Sequence, residues 1–416
     1  MKSLALLGAV LAGVGCAASP TAAGAQEADP LTLEEALDLA GVTGDSPGEP
    51  HNPRAIGPRA ETEAAEALVT QAGLRPNPEV SFEVENVGGP GAFSGLQSSE
   101  ATLSAGLPIE LGGKRRARLD AARADLAVVQ LREQVSLADI ALAVRQRYVA
   151  AVAAQARVAL TQDVFDRRRE LARIAAELVD AGREPPLRAL ATRAQMAEAE
   201  AELKAAQANA LAARFALGAM WSQEPAAPPA DGFPALEPPY ALLADYNGLE
   251  PRLAALERDA AERAIGRERA LGVQDPTVSA GVRHFEASED QAFVVGVSIP
   301  LPLRHRNQGN VAAAQAQARA AAAREAVARA DYRQAVAEAR ARYFAAEAKA
   351  DTLAQDSLPQ AEEALRLADI GYRNGKFALI EVLSVADTRD GIRAALIDAR
   401  EEQGKAAALL IRLAAQ

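Results

Sequence analysis

The feature that most constrains the fold is an internal repeat, because one unit of about 190 residues occurs twice in the chain. The matching positions are Pro53 and Pro251, Pro78 and Pro276, Leu107 and Ile299, and Gly182 and Gly375. The first two pairs are 198 positions apart, the third is 192 and the fourth is 193. The fold is therefore expected to be built from two similar units packed against each other.

Each copy has the same predicted order: a helix, a hairpin of two strands, and two long helices joined at a glycine turn. The predicted units are an export signal at 1–25, a first repeat at 26–221, a Pro-rich linker at 222–241 and a second repeat at 242–416. The strands are predicted at about 78–86, 99–108, 276–285 and 291–300, and the long helices at about 113–181, 186–219, 308–373 and 378–414. The fold class is thus mainly α with a small β part.

The predicted strands alternate apolar and polar residues, which is typical of a sheet with one apolar face. In the first strand, Val80, Phe82 and Val84 alternate with polar side chains. A single hairpin of this kind is more often half-buried in a soluble protein, but two matched hairpins in an exported chain favour a lipid-facing sheet. Four strands cannot close a barrel, and an open edge in lipid leaves backbone groups unpaired. Several chains would have to pool their strands, and three chains would supply twelve.

The helices are unusually long. Residues 115–180 contain neither proline nor glycine, which at about 1.5 Å per residue allows a helix of roughly 100 Å. Alanine supplies much of the 49% hydrophobic content while aromatic residues are only 4%, so the composition favours helix and a thin core. Such helices with narrow apolar seams are expected to pack as coiled coils.

The N-terminus has the pattern of an export signal: Lys2, an apolar stretch at 4–14, and a small-x-small cleavage site at Ala23-Gly24-Ala25. Cys16 offers a rival interpretation as a lipid-anchor cysteine. Beyond the signal no run of about 18 apolar residues occurs, so no membrane-spanning helix is predicted. An exported chain of this kind is periplasmic, secreted or a β-barrel.

Several function classes are disfavoured by the sequence. The net charge of −11 argues against nucleic acid as a partner. His51, His284 and His305 lack the spacing of metal ligands. Gly113-Lys114 does not complete a phosphate loop, because Pro108 stands where the first glycine of that motif should be and Arg115 replaces its Ser or Thr. We therefore expect no enzyme activity, no cofactor and no bound metal.

Three segments resemble the TolC-like outer-membrane efflux family. They are residues 31–36 (LTLEEA), 75–78 (RPNP) before the first strand, and 107–115 (LPIELGGKR) after the second. The last resembles the heavy-metal cation efflux branch, the CzcC-type proteins. The resemblance implies a homotrimer whose twelve-stranded β-barrel lies in outer-membrane lipid and whose α-helical barrel crosses the periplasm. It also implies two partners, a periplasmic adaptor protein and an inner-membrane pump of the resistance–nodulation–division class.

The resemblance also implies a periplasmic gate at the second helical turn. Tyr372 matches a tip tyrosine of the closed state, and Glu381 matches an acidic position that narrows the entrance. Phe377 and Ser384 depart from the family's latch arginine and second acidic ring, so closure by the same salt bridges is not implied. Glu381 has the alternative role of a solvated helix residue.

The two helical turns are the implied adaptor contacts, although their glycines also have an ordinary role in ending helices. These contact residues are Asp180, Gly182, Arg183, Glu184, Arg373, Asn374, Gly375 and Lys376.

Three hypotheses for function follow. The first is a passive exit duct of a tripartite efflux system, for heavy-metal cations. The second keeps the channel fold but exports drugs or a secreted polypeptide. The third is a periplasmic coiled-coil scaffold or adaptor without a barrel. The choice of metal ions rests on the resemblance to one branch.

Overall fold

The computed structural model describes residues 30–42, 52–222 and 225–415. The predicted signal at 1–25 and the candidate lipid-anchor Cys16 lie outside the described residues. Within the described ranges, no helix combines the length and the apolar character needed to cross a membrane.

Nine α-helices and four strands are described in these ranges. The helices are α1 (Leu33–Leu39), α2 (Pro53–Ala72), α3 (Lys114–Asp180), α4 (Pro186–Gly218), α5 (Tyr240–Leu243), α6 (Leu249–Leu271), α7 (Gln308–Thr352), α8 (Leu358–Arg373) and α9 (Leu379–Leu413). The strands are β1 (Glu79–Glu85), β2 (Glu100–Pro108), β3 (Thr277–Phe285) and β4 (Asp290–Ser298). The mainly α fold class with a small β part is confirmed.

The four strands form one antiparallel sheet in the order β1-β2-β3-β4, so the two hairpins join through β2 and β3. The two hairpins have the same register. Glu79 pairs with Gly106 in the first, and the corresponding residues under the repeat offsets, Thr277 and Ser298, pair in the second. The side-chain pattern therefore specifies the same register in both hairpins, although the loops that connect the strands differ in length.

Helix α3 is the centre of the helical part and packs against α2, α4, α6 and α9. Helix α7 packs against α6 and α9, and α8 packs against α9. Because α3 contacts helices of both repeats, the two units share one interface along most of its 67 residues.

Two core clusters lie where the helix pairs meet the connecting segments, and they occupy corresponding places in the repeats. Val144 and Leu217 are fully buried in the first, and Val336 and Leu410 in the second. These pairs are 192 and 193 positions apart, like the strand and turn matches. Residues 225–239 join the repeats and contact both clusters, with Phe233 on the first and Leu236 on the second. Leu31 forms a β-bridge with Pro229 in this segment.

The helix predicted at about 308–373 begins at Gln308 and ends at Arg373, but a π-helical turn at Leu353–Ser357 divides it into α7 and α8. The repeat offset rises from 192 at Val336 to 193 at Gly375, so the second repeat holds one extra residue between these points. A π turn absorbs one residue without rotating the helix beyond it. The corresponding part of α3 is regular α-helix. We conclude that the π turn is where the extra residue is accommodated.

Deleting Gln355 is expected to convert this segment to regular α-helix. The free energy of unfolding is expected to change by less than about 1 kcal/mol, because the side chains of α7 and α8 would still face the helices that they pack against. Deleting Gln162, at the corresponding place in α3, is the matched control. It rotates the rest of α3 by about 100° and is expected to cost more than about 4 kcal/mol. Thermal unfolding followed by circular dichroism measures both. Equal destabilisation by the two deletions would contradict the assignment of the extra residue.

Candidate functional site

One face of the sheet is apolar and exposed across all four strands. A row of four apolar residues crosses this face, in which each residue is paired with the next one on the neighbouring strand. The residues are Phe82, Leu103, Val282 and Phe293. Their exposed fractions are 69%, 55%, 40% and 90%. Monomeric soluble proteins rarely expose a continuous apolar surface of this kind.

The opposite face is polar and holds a charged cluster around Arg283 on β3. Its guanidinium contacts Glu85 and Glu100 at 2.9 Å each, and its Nε donates to the Thr102 hydroxyl at 2.9 Å. Four side chains from three strands thus tie the two hairpins together on this face. One face suits an apolar medium and the other suits water.

The outer strands β1 and β4 each have one strand neighbour within the described residues. The other side of each strand therefore carries a row of backbone N–H and C=O groups directed away from the sheet. Because these rows flank the exposed apolar face, the sheet is incomplete as an isolated unit in an apolar medium.

The two helical turns have the same backbone geometry. Gly182 and Gly375 both adopt a left-handed conformation with φ of 68°. In the first turn the N–H groups of Gly182 and Arg183 donate to Val179 and Leu178, at 2.9 and 2.8 Å. The second turn has the same two bonds at corresponding positions, from Gly375 to Tyr372 and from Lys376 to Gly371, at the same distances. Both turns are Schellman motifs, which end a helix by satisfying its last carbonyls.

All eight predicted tip residues lie at these turns. Asp180 and Arg373 end their helices, Glu184 is half-buried, and the other residues are exposed. Next to each turn a corresponding apolar side chain is exposed: Leu187 by 74% and Ile380 by 53%.

The predicted gate residues occupy two positions around the second turn. Tyr372 is half-buried in the last turn of α8, and Glu381 and Ser384 are exposed one turn apart on the same face of α9. In the described part of the chain, no hydrogen bond joins Tyr372 to either of them.

Glu381 also has a structural role in this single chain. Its carboxylate accepts a hydrogen bond from the N–H of Ala378 at 3.0 Å, so it satisfies one of the free donors that begin α9. Ala378 has no side-chain acceptor of its own, so this is half of a capping box. The cap and a role in the pore are compatible, because the other carboxylate oxygen remains available.

Phe377 packs over Gly371 at the second turn. A Cβ atom placed on Gly371 would lie 2.2 Å from the Phe377 ring, so a glycine is needed there for this packing. In the first repeat the corresponding residues are Leu178 and Glu184, so the packing distinguishes the two tips. Sequence reasoning identified Phe377 as a departure from the family but did not predict its contact.

Above the tips, ion pairs join α3 to α9 across the repeat interface. The pairs are Arg157 with Asp398 and Glu401, Asp163 with Arg393, Arg167 with Asp390, Arg168 with Asp387, and Asp139 with Arg412. The Asp390 side chain is only 12% exposed. Burial alone would raise the pKa of Asp390, but hydrogen bonds from Arg167 and Arg389 outweigh it and lower that pKa. The partners in each ion pair are more than 200 positions apart in the chain, so the spacing of charged residues in the sequence does not predict these pairs.

Across the described residues, no group of three or more His, Cys, Asp or Glu side chains is arranged to hold a metal ion. The surfaces that distinguish this molecule are therefore the two-faced sheet with free edges, the pair of helical tips, and the charged interface between the repeats.

Comparison with known proteins gives matches to a family model, to individual relatives and to solved structures. The model of a family described as outer membrane efflux protein matches twice, at residues 58–223 and 252–416. The cobalt-zinc-cadmium resistance protein CzcC of Cupriavidus metallidurans is 33% identical over 372 residues, which are 87% of this chain and 85% of CzcC. The nickel and cobalt resistance protein CnrC of the same organism is 32% identical over 265 residues, 63% of each chain.

Among solved structures, the outer membrane protein VceC of Vibrio cholerae superposes with a TM-score of 0.73. The two chains are 19% identical, and the match covers 92% of this chain and 95% of VceC. At that identity the likeness establishes the fold. The double match to one family model agrees with the internal repeat.

Proposed function

Since this chain belongs to the outer membrane efflux protein family, we propose that it is the exit duct of a tripartite efflux system and that it exports heavy-metal cations. The protein lies in the outer membrane and extends into the periplasm. The observation that carries the proposal is the sheet with one exposed apolar face, one polar face and two free edges, which fits a segment of a closed barrel in lipid. The scaffold or adaptor hypothesis has no support from the family.

The proposed assembly is a homotrimer, and the repeat supports it. Within one chain, β2 of the first repeat pairs with β3 of the second. If β4 pairs with β1 of a neighbouring chain in the same way, each boundary between chains resembles the boundary between repeats. Six equivalent repeats from three chains then close a ring of twelve strands and leave no edge in lipid.

This equivalence specifies the register at the boundary between chains. Ala105 of β2 pairs with Ala280 of β3. Under the repeat offsets of 192 and 198, the corresponding residues are Val297 of β4 and Phe82 of β1 in the next chain. Both belong to the apolar face, so the register joins apolar face to apolar face, as a period of two requires.

A chain with Val297→Cys and Phe82→Cys is expected to form disulfides between chains on mild oxidation, giving linked dimers and trimers on denaturing gels. The matched control is Val295→Cys with Val80→Cys. In the proposed register these two positions are offset by four residues, which is about 13 Å along the strands. It is expected to remain monomeric on the gel. Linking of the control pair in preference to the first pair would contradict the proposed register.

The choice of heavy-metal cations rests on the relatives. CzcC and CnrC are resistance proteins for cobalt, zinc, cadmium and nickel by their names. The described residues hold no arranged metal ligands, and a passive duct needs none, because tight binding would slow release. Energy for transport comes from the proposed inner-membrane pump of the resistance–nodulation–division class.

Deleting the gene is expected to raise sensitivity to cobalt, zinc, cadmium or nickel salts and to leave tolerance to a panel of organic drugs unchanged. Growth inhibition on graded plates measures this, and the wild-type gene supplied in trans should restore metal tolerance. Unchanged metal tolerance together with new drug sensitivity would assign the channel to the alternative cargo.

The tips are proposed to dock the periplasmic adaptor. Two observations support this: the two turns have the same hydrogen bonds, and each presents an exposed basic residue at the same position, Arg183 or Lys376. With Leu187 and Ile380 exposed beside them, each repeat offers a similar contact surface. An adaptor that binds one hairpin in each repeat would meet six nearly equivalent sites around the trimer.

The gate is proposed to lie at the second tip, where Tyr372, Glu381 and Ser384 surround the turn. In a trimer three copies of Glu381 would face one pore and attract cations. Phe377, which covers Gly371, stabilises the turn by apolar packing where relatives are expected to use a latch arginine.

Glu381→Gln tests the charge separately from the helix cap, because glutamine keeps the acceptor that binds the N–H of Ala378. Purified channels in planar bilayers are expected to lose cation preference, with the permeability ratio of potassium to chloride falling toward unity. Glu402→Gln, which removes an exposed carboxylate from the same helix, is the control and should leave the ratio unchanged. An unaltered ratio in Glu381→Gln would remove this residue from the pore.

A further inference from the structure

Both repeats continue the apolar alternation from the ends of β2 and β4 toward the helices. The residues are Leu107, Ile109 and Leu111 in the first repeat and Ile299, Leu301 and Leu303 in the second, matched at the offset of 192. All six are exposed, and Leu301 and Leu303 reach 74% and 79%. Since the helices extend into the periplasm, these residues lie at the periplasmic border of the lipid-facing surface.

Basic side chains follow both apolar segments, directly in the second repeat and after Gly112 and Gly113 in the first. In the second repeat they are Arg304, His305 and Arg306, and in the first Lys114, Arg115 and Arg116. Among the described residues, the side chains of Arg304 and His305 have no hydrogen bond or ion pair, and Arg306 bonds only the carbonyl of Pro302.

Of the arginines at this border, Arg116 lies 3.8 Å from the Asp120 carboxylate, and two further nearby carboxylates are paired with other cations. Glu110 is paired with Arg118, and Asp275 is paired with Lys114 at 2.6 Å. The border therefore has an excess of positive charge directly beside exposed leucines.

Aromatic anchors are absent from this region of the sequence. Residues 75–116 and 272–308, which contain both hairpins, include neither tyrosine nor tryptophan. Membrane barrels commonly place these residues at the lipid–water boundary, where the ring is apolar and the polar group stays hydrated. Arginine next to leucine offers the same combination, because its stem is apolar and its charged head reaches the boundary.

We propose that Arg304 and Arg306, assisted by Arg115 and Arg116, bind the phosphate groups of anionic phospholipids in the periplasmic leaflet, while Leu301 and Leu303 lie among the acyl chains beneath. The partner is a lipid surface, and its chemistry is a phosphate diester within reach of a guanidinium. The proposal rests on the outer-membrane trimer proposed above. It goes further by assigning a lipid class and the residues that fix the depth of the barrel.

The test uses the purified full-length protein in nanodiscs containing equal amounts of phosphatidylglycerol and phosphatidylethanolamine. Native mass spectrometry counts the lipids retained on the released protein. Wild type is expected to retain phosphatidylglycerol preferentially. Arg304→Gln with Arg306→Gln is expected to reduce that preference by about fivefold for each arginine removed, the factor that corresponds to one near-surface cation.

Arg319→Gln with Arg324→Gln is the matched control. It removes the same charge from exposed positions on α7, the first of them about 20 Å below the border, and should leave the preference unchanged. An unchanged preference in the Arg304 and Arg306 variant, or an equal loss in the control, would overturn the proposal. The same spectra report the mass of the assembly. A trimer without lipid preference rejects only this inference, whereas the absence of trimers rejects the proposed function.

Leu301→Trp tests the apolar half of the proposal. In vesicles with brominated acyl chains the introduced indole is expected to be quenched. Trp221, the only tryptophan of the chain, is buried in the first core cluster and should not be quenched in the wild type. An unquenched Leu301→Trp signal in inserted trimers would place these leucines outside the lipid.

Discussion

Backbone hydrogen bonding at the edges of the sheet is the constraint on which the rest of the structure depends. A strand edge in water can bond to solvent, but an edge in lipid leaves each N–H and C=O group unpaired at a cost of several kcal/mol. The exposed row from Phe82 to Phe293 places this sheet in an apolar medium, and β1 and β4 each lack a partner on one side within the described residues. The proposed closure with other copies of the chain would remove both edges together.

The repeat makes this closure possible without new surfaces. The contact between β2 and β3 inside the chain already contains the geometry that a contact between β4 and β1 of different chains would need. The helices also make a contact between the repeats, since α3 of the first repeat packs against α9 of the second. That internal interface is reinforced by ion pairs such as Arg167 with Asp390, so the two repeats of one chain are held as a single unit.

Small departures from the repeat are where the two halves become different. The π turn at Leu353–Ser357 absorbs one extra residue, so α8 keeps its phase against α9. Phe377 over Gly371 gives the second tip a packing contact that the first tip lacks. Both differences lie in the helical hairpin for which the gate is proposed. The repeat therefore supplies the architecture, and its exceptions supply the features particular to one hairpin.

Sequence reasoning was sufficient for the fold class, because a period of two in the strands and long uninterrupted helices are local patterns. The duplicated unit was visible in the offsets of a few prolines and glycines. The π turn was not predicted, although the change of offset from 192 to 193 contained its signal. Two further features were not predicted: the ion pairs between α3 and α9, and the contact of Phe377 with Gly371. Both depend on which faces of the helices meet, and the spacing of residues in the sequence does not reveal that. The signal peptide, Cys16 and the pore role of Glu381 stay predictions.

Hydrogen exchange of the backbone amides in β1 and β4, measured on the detergent-solubilised protein, tests the central claim most directly. If each edge strand pairs with a neighbouring chain, the amides of β1 and β4 should be protected as strongly as those of β2 and β3, which are paired on both sides within one chain. Exchange of the outward amides of β1 and β4 at the rate of unprotected peptide, with β2 and β3 still protected, would show that the edges are open and would contradict the closed barrel.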